Sequence, residues 1–433
     1  MKMTRSMLSS ALVSGLAMLP GVASAQEAAA PEAEAAPAEA APAEAAPAET
    51  AQTEEAAEPA PAPEPEPAAE PEPAAEPEPE AVEEETVEEA AVEVEVEEDA
   101  GGASLFVFAD AYGGWQTSDV GSTGGGVYAQ NSGGSLYAPG TAGGAQNGFG
   151  LNWLGADLGY DGGSWAVNGS LRFGDAVPTY GTGTLGPITN AYATWRPSDS
   201  ISIDAGVFGT IYGAEVAESW QNLNYTRGEL YFNFQPFWHT GVKAEYTTGN
   251  WIIRGMVANE SNNSQLNSAP IEAGVQVAYD NGDDFGIYLG ALQSTSPDDS
   301  GFLDTFVDAV VVWSPGDLTV IGNVDFNAGY GAGTSQFFGA SLAAGYQFAP
   351  AFGAAVRGEI LTGESSDELV ATGTVTLDLK PVPDVDNFVI RWDNRFEYAG
   401  ADVYNISAAG DASDATDIWF GSTVGVVAYA DLL

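Results

Sequence analysis

Apolar and polar residues alternate along several stretches of the chain after about residue 100. The alternation is clearest in residues 165–173, 271–279, 318–330 and 369–379. In the second of these, every odd-numbered position is apolar, and the even-numbered positions are Glu, Gly, Gln and Ala. Successive side chains of a β-strand point to opposite faces, so each stretch predicts a strand with one apolar face and one polar face.

Weaker examples of the same pattern bring the number of predicted strands to sixteen. They cover residues 104–112, 149–160, 165–173, 188–195, 201–208, 238–246, 251–258, 271–279, 285–292, 303–313, 318–330, 337–348, 352–361, 369–379, 388–398 and 418–429. Connections after even-numbered strands are short, whereas those after odd-numbered strands are mostly longer and rich in Gly, Asn and Ser. This difference is typical of outer-membrane barrels, and a soluble β-sandwich has shorter, less regular strands. The sequence therefore predicts an all-β fold, a transmembrane antiparallel β-barrel of about 16 strands.

The connection between the fifth and sixth predicted strands, residues 209–237, fits neither a strand nor an amphipathic helix. A loop of this length inside a compact domain usually has a function of its own. We predict that this third long loop folds into the barrel and constricts it. The candidate constriction residues are Glu215, Glu218, Tyr225, Arg227 and Glu229.

The first 25 residues have the features of a secretory signal peptide. Lys2 and Arg5 supply the positive charge, residues 11–19 form a short apolar core, and the small residues 23–25 form a cleavage site. We expect cleavage after Ala25 and export from the cytoplasm.

Residues 26–100 consist almost wholly of Ala, Pro and Glu, with 25 Glu, one Asp and no Lys or Arg. Such a segment repels itself and cannot bury a core, so it predicts a disordered acidic arm before a barrel domain of residues 101–433. Two interpretations of the arm stay open. It is a spacer, or it is a tether to peptidoglycan or a periplasmic partner.

The overall composition excludes several classes of function. A formal net charge of −51 argues against nucleic acid as a partner, because phosphate binding needs a basic surface. The absence of Cys excludes disulfides and thiolate metal sites. The single imidazole, His239, has no Ser in its own segment, so a Ser-His-Asp hydrolase is not indicated. We expect no enzyme activity, no cofactor and no metal.

Most of the basic residues fall on the polar face of their predicted strands. A charged side chain facing hydrocarbon is costly, so these residues are predicted to line the lumen. Arg357, Arg391 and Arg395 lie close around the wall with Lys380 between them, and Glu215, Glu218 and Glu229 of the loop are predicted to face them. This arrangement predicts a transverse field at the constriction, and the excess of carboxylates predicts weak cation preference. The predicted wall residues are Arg172, Lys243, Arg254, Arg357, Arg391 and Arg395.

The central part of the chain resembles the OmpL-like beta-barrel porin family of Gram-negative outer membranes. The likeness is carried by AGVFGTIYGAE (205–215), WQNLNYTRG (220–228), QPFWHTGVKAEY (235–246) and WIIRGMVANESNN (251–263). The match covers residues 151–429, and the acidic arm lies outside it. The chain also ends in Leu433, where such barrels commonly end in Phe.

The resemblance implies an outer-membrane porin that contacts lipid and passes small hydrophilic solutes or ions, with residues 224–227 in the loop. Whether the chain assembles as a homotrimer stays open. A second hypothesis also stays open, in which the chain is a structural barrel that its acidic arm tethers to, or spaces from, the cell wall or a partner.

Overall fold

A computed structural model of the full chain shows an all-β protein. The residues that it describes are 101–116, 119–120, 148–174, 176, 185–262, 271–297, 303–328, 336–363, 369–382, 385–401, 404–405 and 415–433. The predicted signal peptide and acidic arm lie outside these residues, as does nearly all of the first long loop. Among the described residues, no helix is both long and apolar enough to cross a membrane.

Sixteen strands form one closed barrel in which each strand pairs with its neighbours in antiparallel order. Numbered here in chain order, they are β1 (Gly102–Gln116), β2 (Gly148–Asp161), β3 (Trp165–Phe173), β4 (Ile188–Ser198), β5 (Ile201–Gly209), β6 (Trp238–Thr248), β7 (Trp251–Asn259), β8 (Ile271–Asp280), β9 (Phe285–Pro297), β10 (Leu303–Trp313), β11 (Leu318–Ala328), β12 (Gln336–Ala349), β13 (Phe352–Thr362), β14 (Val370–Leu379), β15 (Phe388–Ala399) and β16 (Ile418–Asp431). The barrel closes where β1 pairs with β16, with Phe108 opposite Tyr429. The predicted fold class and strand number are thus confirmed.

The two ends of the barrel differ in the length of their connections. At the end that we call the short-turn end, neighbouring strands are joined by a few residues. The turn before β9 shows why, because the Asn281 side chain accepts hydrogen bonds from the backbone N–H groups of Asp283 (2.9 Å), Asp284 (3.1 Å) and Phe285 (3.0 Å). Both termini of the barrel, Gly102 and Asp431, also lie at this end. The other end, with the extended connections, is the long-loop end.

The observed strands differ from the predicted ones mainly at their ends. β1 continues to Gln116, and β4 continues through Pro197 to Ser198, so the connection predicted to span residues 196–200 is only two residues long. A small three-stranded sheet of Asp119–Val120, Tyr404–Asn405 and Ala415–Thr416 was not predicted. Strands of two residues are too short for any periodic signal.

Burial in the barrel is the reverse of that in a water-soluble protein. Along the outer wall, large apolar side chains such as Leu342 (62% exposed) and Val257 (56%) are open to the surroundings. Along the inner wall, charged side chains such as Glu272 and Asp325 have no exposed area. This arrangement suits a barrel surrounded by hydrocarbon, and it shows that other parts of the chain cover these inward side chains.

Candidate functional site

Loop 209–237 lies inside the barrel. It leaves β5 at Gly209 and returns at Trp238, which are paired at the long-loop end. It contains one turn of 3₁₀-helix at Ser219–Gln221 and a short helix, α1, at Glu229–Asn233. The Gly-, Asn- and aromatic-rich sequence between these turns forms no regular structure, so its backbone groups bond to the barrel wall instead.

The first part of the loop binds the wall formed by β8 to β11. The Tyr212 hydroxyl donates to the carbonyl of Ala291 at 2.8 Å, and the Gly213 N–H donates to Asp308 at 3.2 Å. The next residue, Ala214, donates its N–H to the Asn323 side chain at 3.2 Å. Three successive loop residues are therefore held by three adjacent strands.

The middle of the loop binds the wall formed by β1 and β3. Glu218 pairs with Arg172 at 2.8 Å, and neither side chain has any exposed area. Ser219 donates its hydroxyl to Asp110 at 2.9 Å, and the Tyr225 hydroxyl donates to the same carboxylate at 2.8 Å. Asp110 therefore holds the loop at two points.

A third set of loop residues, spread from Glu215 to Glu229, binds β13, β14 and β15. Glu215 pairs with Arg357 at 2.5 Å, and Glu229 pairs with Arg395. The Asn224 side chain donates to the Thr376 hydroxyl at 2.8 Å. Further bonds to this wall join the hydroxyl of Thr226 to Asp393 at 3.0 Å, the carbonyl of Thr226 to Arg357 at 2.7 Å and the carbonyl of Leu223 to Arg391 at 2.7 Å.

The loop reaches from the long-loop end almost to the short turns. Tyr225 packs with Val389, the second residue of β15, and with Val427 near the end of β16. Leu223 packs against a cluster that includes Ala278 and Val312, both within three residues of a short turn. Apart from β5 and β6, which it joins, the loop forms hydrogen bonds with nine strands, so it is anchored around most of the wall and along most of its depth.

Wall glycines allow this close fit. A Cβ atom added at Gly290 would lie 2.5 Å from the Tyr212 ring, and one added at Gly345 would lie 2.8 Å from the Leu223 side chain. Either distance is far below van der Waals contact, so a larger residue at these positions would displace the loop.

The six predicted wall residues all point inward, are buried and are paired with carboxylates. Their partners at 3.1 Å or less are Asp157 for Arg172, Asp204 for Lys243, Glu245 for Arg254, Glu359 for Arg357, Asp378 for Arg391 and Glu397 for Arg395. Arg172, Arg357 and Arg395 also bind loop carboxylates, as described above. Arg227 of the loop donates to the carbonyl of Tyr225 at 3.2 Å and is buried as well.

The arrangement of charges differs from the predicted one in two respects. Glu218 does not face Arg357, Arg391 and Arg395, because it pairs with Arg172 on β3 instead. Lys380 does not lie between those arginines in the lumen, because it follows the end of β14 and pairs with Asp386 in a short turn. The loop and wall charges are in direct contact, so they do not face each other across an open gap.

Burial and ion pairing act in opposite directions on the pKa values of the loop carboxyl groups. Burial raises the pKa of Glu218 above its usual value, and the Arg172 charge opposes this shift. Burial likewise raises the pKa of Glu229, where the Glu397 charge adds to the rise and Arg395 opposes it. Without its guanidinium partner, each carboxyl group would be a buried and poorly solvated charge.

Several anchors of the loop were missed by the sequence reasoning. Asp110, Asp308, Asn323, Thr376 and Asp393 each accept a hydrogen bond from the loop. In the sequence, each of these residues is recognisable only as a polar residue at an inward position of a strand. That pattern does not indicate which part of the chain donates a hydrogen bond to it.

His239 is buried where the loop joins β6. Its Nε2 lies 3.3 Å from the Thr210 hydroxyl, and its Nδ1 lies 3.7 Å from Glu272. The histidine therefore contacts the loop where it leaves the barrel wall, and it helps to position Thr210.

These features define a porin-like β-barrel with an inserted third loop. Residues 108–426 match the model of the family described as "Putative beta-barrel porin-2, OmpL-like". The chain belongs to this family. Family and fold together place it in the outer membrane of a Gram-negative bacterium and indicate a channel rather than an enzyme. No match is found among curated proteins.

Solved structures with a similar fold include two porin-type barrels. The anion-selective porin from Comamonas acidovorans has a TM-score of 0.52 and 11% identity, over 76% of this chain and 100% of that chain. The trimer form of OmpT from Vibrio cholerae has a TM-score of 0.51 and 12% identity, over 77% of this chain and 100% of that chain. At these identities the likeness concerns the fold alone.

Proposed function

We propose that this protein is a passive channel for small hydrophilic solutes or ions, with a bore that loop 209–237 narrows to a restricted path. The observation that carries this proposal is the set of hydrogen bonds from the loop to nine strands around the lumen. A loop held so widely leaves little open cross-section, so the solutes that pass are small and the conductance is low.

Weak cation preference is part of the proposal. Residues 101–433 hold 36 acidic and nine basic residues. In the described part of the lumen, all the predicted wall cations are paired, whereas Asp110, Asp308 and Asp325 form no ion pair with Lys or Arg. The carboxyl groups of the described wall and loop therefore outnumber the cationic side chains, even when Arg227 is counted, and this excess favours cations.

Planar lipid bilayers provide the test of conduction. Purified folded protein should produce ohmic channels of low conductance, and a folded preparation that never conducts would refute the proposal. A triple variant, Glu215→Gln with Glu218→Gln and Glu229→Gln, should move the reversal potential toward anion preference, because three lumen carboxylates are lost while Arg172, Arg357 and Arg395 remain. An unchanged reversal potential would contradict the proposal that the loop carboxylates determine ion selectivity.

We also propose that the protein assembles as a homotrimer in the membrane, as OmpT from Vibrio cholerae does in its trimer form. Native mass spectrometry of unheated protein in detergent should give the mass of three chains. A single-chain mass in all detergents tested would contradict the assembly without bearing on conduction.

A second candidate function is structural, and the position of Gly102 favours it. β1 begins at the short-turn end, so the acidic arm joins the barrel on the side where both barrel termini lie. An arm of 75 residues that emerges there is suited to hold the barrel at a distance from the cell wall or from a partner. Deleting residues 26–100 should then impair envelope integrity and leave the conductance unchanged. Unchanged envelope integrity after this deletion would contradict the structural function and leave only the channel function.

A further inference from the structure

The outer wall of β15 and β16 carries polar side chains in the middle of the barrel's apolar band. Asn394 is the seventh of the twelve residues of β15, and it is paired with Ser422 of β16. Asn394 alternates with the buried Asp393 and Arg395 and shares its row with Trp392 and Phe396, which are 47% and 45% exposed. Its amide therefore faces the hydrocarbon. Other polar residues of the outer rows, such as Thr240 and Thr305, lie toward the long-loop end.

A short hydrogen-bond chain joins these side chains but leaves one group unpaired. The Trp392 indole N–H donates to the Ser422 hydroxyl at 3.0 Å, and that hydroxyl donates to Asn394 Oδ1 at 2.9 Å. The Asn394 Nδ2 group forms no hydrogen bond with the described residues, and Oδ1 keeps a second lone pair. An amide N–H without an acceptor is strongly unfavourable in hydrocarbon, because no water is present there to accept its hydrogen bond.

We propose that Asn394 binds Asn394 of a second copy of this chain, across an interface formed by the outer faces of β15, β16 and β1. Each amide carries both a free donor and a free acceptor, so three copies around a three-fold axis satisfy one another in a ring, in which each Nδ2 donates to the Oδ1 of the next copy. Copies of one residue meet in this way when they lie beside the symmetry axis of a closed assembly. The inference rests on the self-association proposed above, and it names the surface through which that association occurs.

A lipid does not fit this position as well as a second copy. The polar groups of a lipid lie at the edges of a hydrocarbon core that is about 30 Å thick. Asn394 is close to the middle of its strand, so an ester or phosphate oxygen would have to enter the core to reach it.

Small side chains beside the cluster permit close approach of another barrel. The outward residues of β1 include Ala109, Ala111 and Gly113, which lie opposite Ala428, Val426 and Val424 of β16. Small residues at membrane interfaces let backbones pack closely, so the outer row of β1 offers a surface that a neighbouring barrel can approach.

Disulfide cross-linking provides the test, because the chain contains no Cys. Asn394→Cys should form a disulfide-linked pair of chains when outer-membrane vesicles are oxidised. Val324→Cys is the matched control, since Val324 is the seventh of the eleven residues of β11, is 43% exposed and lies on another side of the barrel. We expect the control to remain a single chain.

Three outcomes would overturn the inference, and they are distinguishable from one another. Equal cross-linking at both positions would indicate random collision. An oligomer in unheated wild-type protein without cross-linking at position 394 would show that another surface forms the contact. A single-chain mass for the wild type would refute the proposed assembly itself.

A second variant, Asn394→Leu, should fold and insert, but it should lower the temperature at which the oligomer dissociates. An unchanged dissociation temperature would also contradict the proposal.

Discussion

The inner and outer walls of β15 are formed by alternate residues of one strand, yet they differ in polarity and in burial. Asp393, Arg395 and Glu397 point inward and are almost fully buried, whereas Trp392 and Phe396 point outward and are about half exposed. The inner residues are held by specific partners, and the outer ones need only be apolar. The difference shows that the loop, rather than water, is the main neighbour of this part of the inner wall.

The largest effect is expected from removing an inner cation. Arg395→Met leaves Glu229 and Glu397 buried without their shared partner. Breaking a buried pair in this way costs about 3–5 kcal/mol in the free energy of unfolding. Urea titration of the refolded barrel in lipid vesicles, followed by Trp fluorescence, measures it.

The matched control is Arg196→Gln, which removes a partly exposed ion pair with Asp161 at a short turn. Exposed pairs contribute about 0–1 kcal/mol. If both variants changed the free energy of unfolding equally, the buried ion pairs of the inner wall would contribute no more to stability than an exposed pair. This result would contradict the difference between the two walls.

The next largest effect is expected from placing a charge on the outer wall. Val356 is 52% exposed in the middle of β13, next to the inward Arg357. Val356→Arg should cost about 2–4 kcal/mol, because an Arg side chain near the bilayer midplane is destabilising by that amount. The same titration measures it, with Val356→Leu as the control. A neutral result would mean that this face does not contact lipid.

Replacing a glycine of the inner wall is expected to have a smaller effect on stability and a clear effect on conductance. Gly290→Leu would place its side chain against the Tyr212 ring. Overpacking typically costs about 1–3 kcal/mol, and displacing the loop should raise the single-channel conductance. Gly322→Leu is the control, because Gly322 lies on the outer row of β11 and nothing lies within 4 Å of its added Cβ atom. Equal conductance in the two variants would contradict the close fit of the loop.

The outer wall could be predicted from the sequence far better than the inner one. Alternation along residues 271–279 is a local consequence of the strand pleat, so it predicts both the strand and its lipid-facing row. The same alternation predicted that Arg172 and Arg395 point inward. It could not predict their carboxylate partners in the loop, because Glu218 and Glu229 belong to a segment without regular alternation.

That path depends on contacts between distant parts of the chain. Asn224 binds Thr376, which is 152 residues away, and Tyr225 binds Asp393, which is 168 residues away. No periodic signal encodes such a pairing. The position of the loop between β5 and β6 could be predicted from the order of strands, whereas its depth in the lumen and its anchors at Asp110 and Asp308 could not.

The most direct test of the packed loop is to lock it in place and record the current. A double variant, Asn224→Cys with Thr376→Cys, replaces two side chains that are joined by a 2.8 Å hydrogen bond, in a chain without other Cys. We expect the disulfide to form under oxidant and the single-channel conductance to be the same before and after reduction, because the conducting state already has the loop in this position. A conductance that falls when the disulfide forms and recovers on reduction would show that solutes pass only when the loop is elsewhere, and would contradict the account.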